Sequence, residues 1–172
     1  MTKGLFLSFA ILGGLSISTI ILSLLIRTRY SKDPDTPTEL IPKIIKLMDL
    51  QPSDKFIDLG AGDFRMVNTV AKYCQSYGVE LSPVHLVTAQ LLRLLNRRRS
   101  HILTENLLKT DLTKYNKIYL NLDSKIIRAL STKLPTKAGV IIYSLNDKLE
   151  NIEATKVHEL NNSYTLFEYQ FK

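Results

Sequence analysis

Cysteine is almost missing from this chain. The 172 residues hold one, Cys74, which excludes an internal disulfide framework and a four-cysteine metal site. Its helical neighbours Val67, Val70 and Ala71 share its face, the setting of a core thiol rather than a nucleophile. His85, His101 and His158 are the only histidines. They are dispersed without metal-ligand spacing, so no metal is expected, and no nucleophile–base pair can be recognised. Glycine is sparse as well. Where two fall close together, at Gly60 and Gly62, a dinucleotide fingerprint would need a third glycine where Arg65 stands. A phosphate loop would need Gly-Lys-Ser/Thr, which is also missing. There is no internal repeat and no low-complexity segment outside the first thirty residues.

Charge is missing from Gly4 to Ile26, and acid from residues 1–32. The uncharged run of 23 residues would span ~34 Å as a helix, enough for a hydrocarbon core of ~30 Å. A cleaved signal peptide is the rival reading. Its apolar region is normally about 7–15 residues with a small-residue cleavage site behind it, and Ile26-Arg27-Thr28-Arg29 is not such a site. We therefore expect a retained anchor over 4–26, a linker over 27–37 and a globular domain over 38–172. Arg27, Arg29 and Lys32 outnumber Lys3 plus the amino terminus, which puts the domain on the cytoplasmic side of a single-pass membrane protein. The acid-free leader leaves a mitochondrial inner-membrane address open. A net charge of +7 suits a domain near anionic lipid or one with an acidic partner.

Downstream, strands alternate with helices. Ile41, Ile44, Ile45 and Met48 give a helix ending near Leu50, with Pro42 in its first turn. Strands are expected at Lys55–Leu59, Tyr77–Glu80, His101–Glu105, Lys117–Leu122 and Gly139–Ser144. Helices are expected at about Phe64–Gln75, from the Ser82 cap with Pro83 behind it to the basic end Arg97-Arg98-Arg99, and over Ser124–Lys133. Val157–Leu160 and Tyr164–Phe171 read as a closing hairpin. The pattern predicts an α/β domain, a mostly parallel sheet with helices on both faces and an antiparallel edge.

The stretch Phe56-Ile57-Asp58-Leu59-Gly60-Ala61-Gly62-Asp63-Phe64-Arg65 organises the rest. An apolar run ends in an acid, glycines follow at alternate positions, and a helix begins at once. The glycines permit a tight turn and would bring backbone N–H groups to a ligand at the positive end of the helix. In an open α/β sheet a ligand lies at the carboxyl ends of the strands. Three polar residues fall there. Asp58 could meet a ligand's amino group; Glu80, 18 residues after Gly62, could accept two ribose hydroxyls; Asn106 could read an adenine edge. A glycine turn, a solvated acid and a turn asparagine are the ordinary readings of each alone. Their conjunction points to an adenosine-type ligand.

Acid-x-Gly-x-Gly resembles motif I of the class I S-adenosylmethionine methyltransferases. Thr36-Pro37-Thr38-Glu39, Gly78-Val79-Glu80-Leu81-Ser82-Pro83, Glu105-Asn106-Leu107-Leu108 and Asp111-Leu112-Thr113-Lys114-Tyr115 follow the same pattern in order. Together they look like the small membrane-anchored methyltransferases related to the mitochondrial lysine methyltransferases of ATP synthase subunit c and the adenine nucleotide translocase. The resemblance covers about Pro37 to Leu145. It implies a Rossmann-like class I methyltransferase fold with seven strands, preceded by one transmembrane helix. It also implies S-adenosylmethionine as cofactor, held by Asp58, Gly60, Ala61, Gly62, Glu80, Leu81 and Asn106, and a lysine of a membrane-associated protein as methyl acceptor. The family usually has glycine where this chain has Phe64, whose ring would either narrow the cofactor pocket or start the helix.

No residue is marked as carrying the chemistry. Asn121-Leu122-Asp123 lacks the prolines and the aromatic of the amino-methyltransferase motif at this position, and Asp123 reads better as a helix cap. Arg93 and Arg97–Arg99 make a solvated basic helix end; no aromatic residues interleave with them, which counts against a nucleic-acid surface. Two other readings stay open: methylation of a lipid or small amphiphile, and a non-catalytic anchored module that binds S-adenosylmethionine.

Overall fold

The structure is a computed structural model that describes residues 35–83, 85, 86, 90 and 100–171. The expected anchor over 4–26, the linker as far as Pro34 and the basic helix end lie outside the described residues. Among the described residues no helix is long and apolar enough to cross a membrane.

A seven-stranded sheet forms the centre. In chain order its surroundings are α1 (Ile41–Met48), β1 (Lys55–Leu59), α2 (Arg65–Val70), β2 (Gln75–Val79), β3 (Ser100–Leu103), β4 (Lys117–Leu120), α3 (Ser124–Ser131), β5 (Ile141–Leu145), β6 (Lys156–Asn161) and β7 (Tyr164–Gln170). Pro83, His85, Leu86 and Gln90 are helical, and Leu86 N–H donates to the Ser82 carbonyl, as the Ser-Pro start predicts. The order across the sheet is β3-β2-β1-β4-β5-β7-β6. Five strands are parallel; β7 runs antiparallel to both β5 and β6. The predicted mixed sheet with a closing hairpin is what forms.

Strands covered on both faces need apolar residues on both: Phe56, Ile57 and Leu59 supply them in β1, and Ile118, Tyr119 and Leu120 in β4. On one face α1 sets Ile41, Ile44, Ile45 and Met48, and α2 sets Met66 and Val70, against Phe56, Tyr119, Tyr143 and Leu166. On the other, Ile127 and Leu130 of α3 pack on Ile57, Leu59, Ile118, Leu120 and Ile142. Burying each such side chain contributes about 1.5–3 kcal/mol. Pro42 stands in the first turn of α1, where its missing N–H costs nothing.

Several expected boundaries move. The helix after the glycine turn stops at Val70, and the chain re-enters the sheet already at Gln75, because Cys74 and Ala71 are buried by a turn rather than by a further helical turn. The linker between β3 and β4 carries no α-helix, only the 3₁₀ turns Leu107–Lys109 and Leu112–Lys114, capped by the side chains of Asn106 and Asp111. Asp123 is the cap that its position suggested: its carboxylate accepts from the Lys125 N–H at 2.7 Å. The histidines stay apart, His101 stacking on Tyr77 and His158 bonding Glu168. Among the described residues no group of His, Cys, Asp and Glu could hold a metal ion.

Candidate functional site

The sheet order reverses between β1 and β4. Chain from β1 runs outward through β2 and β3, then crosses back to β4. The carboxyl ends of these strands therefore open a crevice at the switch point, where ligands bind in open α/β sheets. The glycine turn lies there. Gly60 and Gly62 both take positive φ, +79° and +52°. At Gly62 a methyl group would also sit 2.7 Å from the Asp35 carboxylate, so a side chain there would have to displace Asp35 as well as hold a positive φ.

The turn's N–H groups are arranged differently from the expectation. Gly60 and Ala61 both donate to the Val79 carbonyl, at 3.0 and 2.9 Å. Gly62 donates to Glu80 Oε2 at 3.0 Å. The first N–H of α2, on Arg65, donates to Asp63 Oδ1. Loop and helix start are thus locked onto β2 and Asp63 instead of presenting donors to a ligand. The charged side chains left to recognise a ligand at this site are mostly carboxylates.

Four carboxylates surround the turn: Asp35, Asp58, Asp63 and Glu80. Asp58 is the deepest, 4% exposed, on β1 in register with Gly78 of β2 and Tyr119 of β4. Burial, then the nearby charges of Glu80, Asp63 and Asp35, push its pKa from 3.8 up to about 8. Glu80 lies just past the end of β2. Its Oε1 accepts from Leu81 and Ser82 N–H at 2.8 and 2.7 Å, so one carboxylate joins the glycine turn to the start of the next helix. Leu81 beside it is a large exposed apolar side chain, 55% accessible. Asn106 is exposed at the β3 end of the crevice, its Oδ1 accepting from the Leu108 N–H at 2.9 Å.

Three contributors were not legible in the sequence. His85 Nδ1 is buried without a hydrogen-bond partner, 3.5 Å from Glu80 Oε2; a His one helical turn past a Ser-Pro start was the only signal for it. The other two come from the segment before α1. Thr36 is buried, and its hydroxyl bonds the Tyr119 hydroxyl at 2.8 Å and takes a bond from Asn121 Nδ2 at 3.2 Å. Asp35 lies over the glycine turn and pairs with Arg65 at 3.7 Å. Arg65 also forks onto Asp63 and donates to Thr38 Oγ1 at 3.0 Å. Residues 35–38 are therefore a strap held across the crevice. No spacing rule links them to a turn 25 residues on.

Phe64 resolves the departure from the glycine expected there. Its backbone is left-handed, φ +64°, as the residue before α2, which explains why glycine suits the position. The ring is 1% exposed and packs with Ala61, Val67 and Ile102. It fills core beneath the turn and starts the helix.

The fold and its crevice are those of a class I methyltransferase. The family model for the histone methylation protein DOT1 matches residues 34–162; the chain belongs to that family. Among curated proteins no sequence matches it. Solved structures that resemble it include an RNA methyltransferase from Salinibacter ruber in complex with S-adenosyl-L-homocysteine, with a TM-score of 0.69 and 17% identity over 78% of this chain and 91% of that one. A SAM-dependent methyltransferase from Aquifex aeolicus gives 0.58 and 13% over 78% and 93%. A dimethyladenosine transferase from Plasmodium falciparum gives 0.60 and 13% over 78% and 61%. At these identities the likeness is one of fold.

Proposed function

We propose that this chain is an S-adenosylmethionine-dependent methyltransferase that modifies a lysine side chain of a protein in or beside the membrane holding its N-terminal segment. The observation that carries the reading is the ring of Asp35, Asp58, Asp63 and Glu80 around the glycine turn, with Arg65 paired to Asp35 and Asp63 and His85 3.5 Å from Glu80. Such a ring favours a cationic ligand and a cationic acceptor. It disfavours a phosphate-rich one. The Salinibacter neighbour's bound S-adenosyl-L-homocysteine and the family's role in histone methylation agree with this choice.

The residues present fit the cofactor. Asp58 would face the methionine end, with Gly60, Ala61 and Gly62 letting it approach the turn. Glu80 would take the ribose with Oε2, which carries one backbone bond where Oε1 carries two. The orphaned His85 Nδ1 lies within reach of the same atom. Leu81 and the Asn106 amide would meet the adenine. When bound, S-adenosylmethionine supplies a methyl group on a sulfonium, open to attack by a neutral amine. The chain's part is to orient that amine and exclude water. Positioning alone can supply several kcal/mol of such a barrier, and no dedicated base is assigned.

The membrane part rests on the sequence. Eight residues separate Ile26 from Asp35, so the strap cannot lie more than roughly 30 Å from the end of the apolar run. Because Asp35 sits at the crevice, a tether here restricts acceptors to lysines near the bilayer surface and raises their effective concentration.

The test is methyl transfer from radiolabelled S-adenosylmethionine to membranes by the full chain, with Glu80→Ala as control. Label recovered as methyl-lysine after protein hydrolysis, and lost in the control, is the expected result. Label extracted with lipid would replace the acceptor. Tight cofactor binding without transfer to any fraction would leave only a binding module.

A further inference from the structure

A second hollow lies at the opposite pole of the sheet. It has a volume of about 210 Å³ and is bounded by Ser53 and Lys55 at the start of β1, Lys114 and Asn116 ahead of β4, and Lys137 and Gly139 ahead of β5. These are the amino-terminal ends of parallel strands. One five-residue strand separates them from the glycine turn, about 16 Å, so the hollow is no part of the crevice at the carboxyl ends.

Its lining is one-sided in charge. Three lysines border it and no carboxylate does. Lys137 Nζ gives one bond, 2.8 Å to the Thr113 carbonyl, out of the three it can donate. Lys114 pairs with Asp111 at 3.2 Å, both side chains more than half exposed, an interaction that water and a ligand readily replace. The nearby Asp54 is turned to other work: Oδ1 accepts from Asn116 Nδ2 at 2.7 Å and Oδ2 from the Gln51 N–H at 2.8 Å. Asn116 is fixed in turn by the Lys55 N–H on its Oδ1 at 2.8 Å, which makes the floor rigid. The rim at Gly139 is open: φ is +83°, and a methyl group added there would meet nothing within 4 Å.

Three lysines in the lining of so small a volume call for a compact anion with more than one charge and several acceptor oxygens. Lysine meets phosphate in this way, as a point charge with rotatable donors. We propose that the hollow binds a phosphate monoester, carried either by a small soluble molecule or by a lipid headgroup. The proposal is independent of the methyltransferase reading.

The experiment is calorimetric titration of the full chain, in neutral-detergent micelles and phosphate-free buffer, with glycerol phosphate. A parallel arm compares micelles doped with phosphatidic acid and with phosphatidylcholine. Saturable binding is expected, weakened about tenfold by Lys55→Gln and by Lys137→Gln. It should be unchanged in Lys46→Gln, an exposed lysine of α1 with the same loss of charge. Binding of the free ester identifies a soluble source, and binding of phosphatidic acid alone identifies a headgroup. No saturable binding in either arm, or equal weakening by Lys46→Gln, overturns the proposal.

Discussion

Asp58 should make cofactor binding depend on pH. Its carboxyl, raised to about 8 mainly by burial, is only about one-tenth ionised at pH 7 without ligand. A sulfonium ligand is held by the ionised form. Apparent affinity for S-adenosylmethionine should therefore rise about tenfold per pH unit below 8 and level off above it, with close to one proton released per ligand bound at pH 7. S-adenosylhomocysteine keeps the amino group that Asp58 would meet and should show a similar slope. Titration in two buffers of different ionisation heat reads the proton directly. Asp58→Asn should bind weakly at every pH and release nothing. The ligand-free protein carries the same linkage with the opposite consequence. The folded state keeps a proton that the unfolded state has lost between the ordinary value of 3.8 and about 8. Stability from this group is thus present below that window and is lost as pH rises through it, by at most about 1.4 kcal/mol per pH unit. In Asp58→Asn that slope should disappear. Affinity independent of pH, heats independent of buffer, or an Asp58→Asn protein that titrates like the parent would refute the reasoning.

Other outcomes follow from the packing. A methyl at Gly78 would come within 2.5 Å of the Phe64 ring, 2.8 Å of Val67 and 2.9 Å of Ala61, so Gly78→Ala should cost about 1–3 kcal/mol in urea unfolding. Adding Phe64→Ala should return part of that loss, and strictly additive costs would show that the ring is not the obstacle. Thr36→Val removes the hydroxyl that bonds Tyr119 and Asn121; a fall of about 1–3 kcal/mol is expected, and an unchanged Tm would mean the strap is not held there. Burial raises the Cys74 thiol to about 11 and leaves it 1% exposed. A disulfide reagent at pH 8 should label it only after unfolding; fast labelling of the native protein would contradict the buried turn.

The fold was largely legible because its signals are local. Phe56, Ile57 and Leu59 mark β1, Asp123 caps α3 within two residues, and the Ser82-Pro83 start needs no partner elsewhere. The site was legible in its outline, Asp58, the two glycines, Glu80, and not in its wiring. Whether a turn N–H faces a ligand or the Val79 carbonyl depends on how β2 ends beside it, and a motif does not contain that. Thr36 meets Tyr119 across 83 positions, a contact set by the whole sheet. Phe64 reads as an error in a glycine motif until Gly78, fourteen positions on, is seen to vacate the space for its ring.

The position of β7 bears on how the protein is made. This strand, the last of those described, is interior: β5 flanks it on one side and β6 on the other, and Leu166, Phe167, Glu168 and Tyr169 are buried. Among the described residues β6 pairs with β7 alone. During synthesis the edge of β5 therefore stays open until the segment through Gln170 has left the ribosome, and β6 has nothing to join before then. The cofactor crevice, built from β1 to β4, can assemble earlier. A chain that formed its β1–β4 part first would leave one apolar sheet edge bare, the stage most exposed to mispairing with other strands.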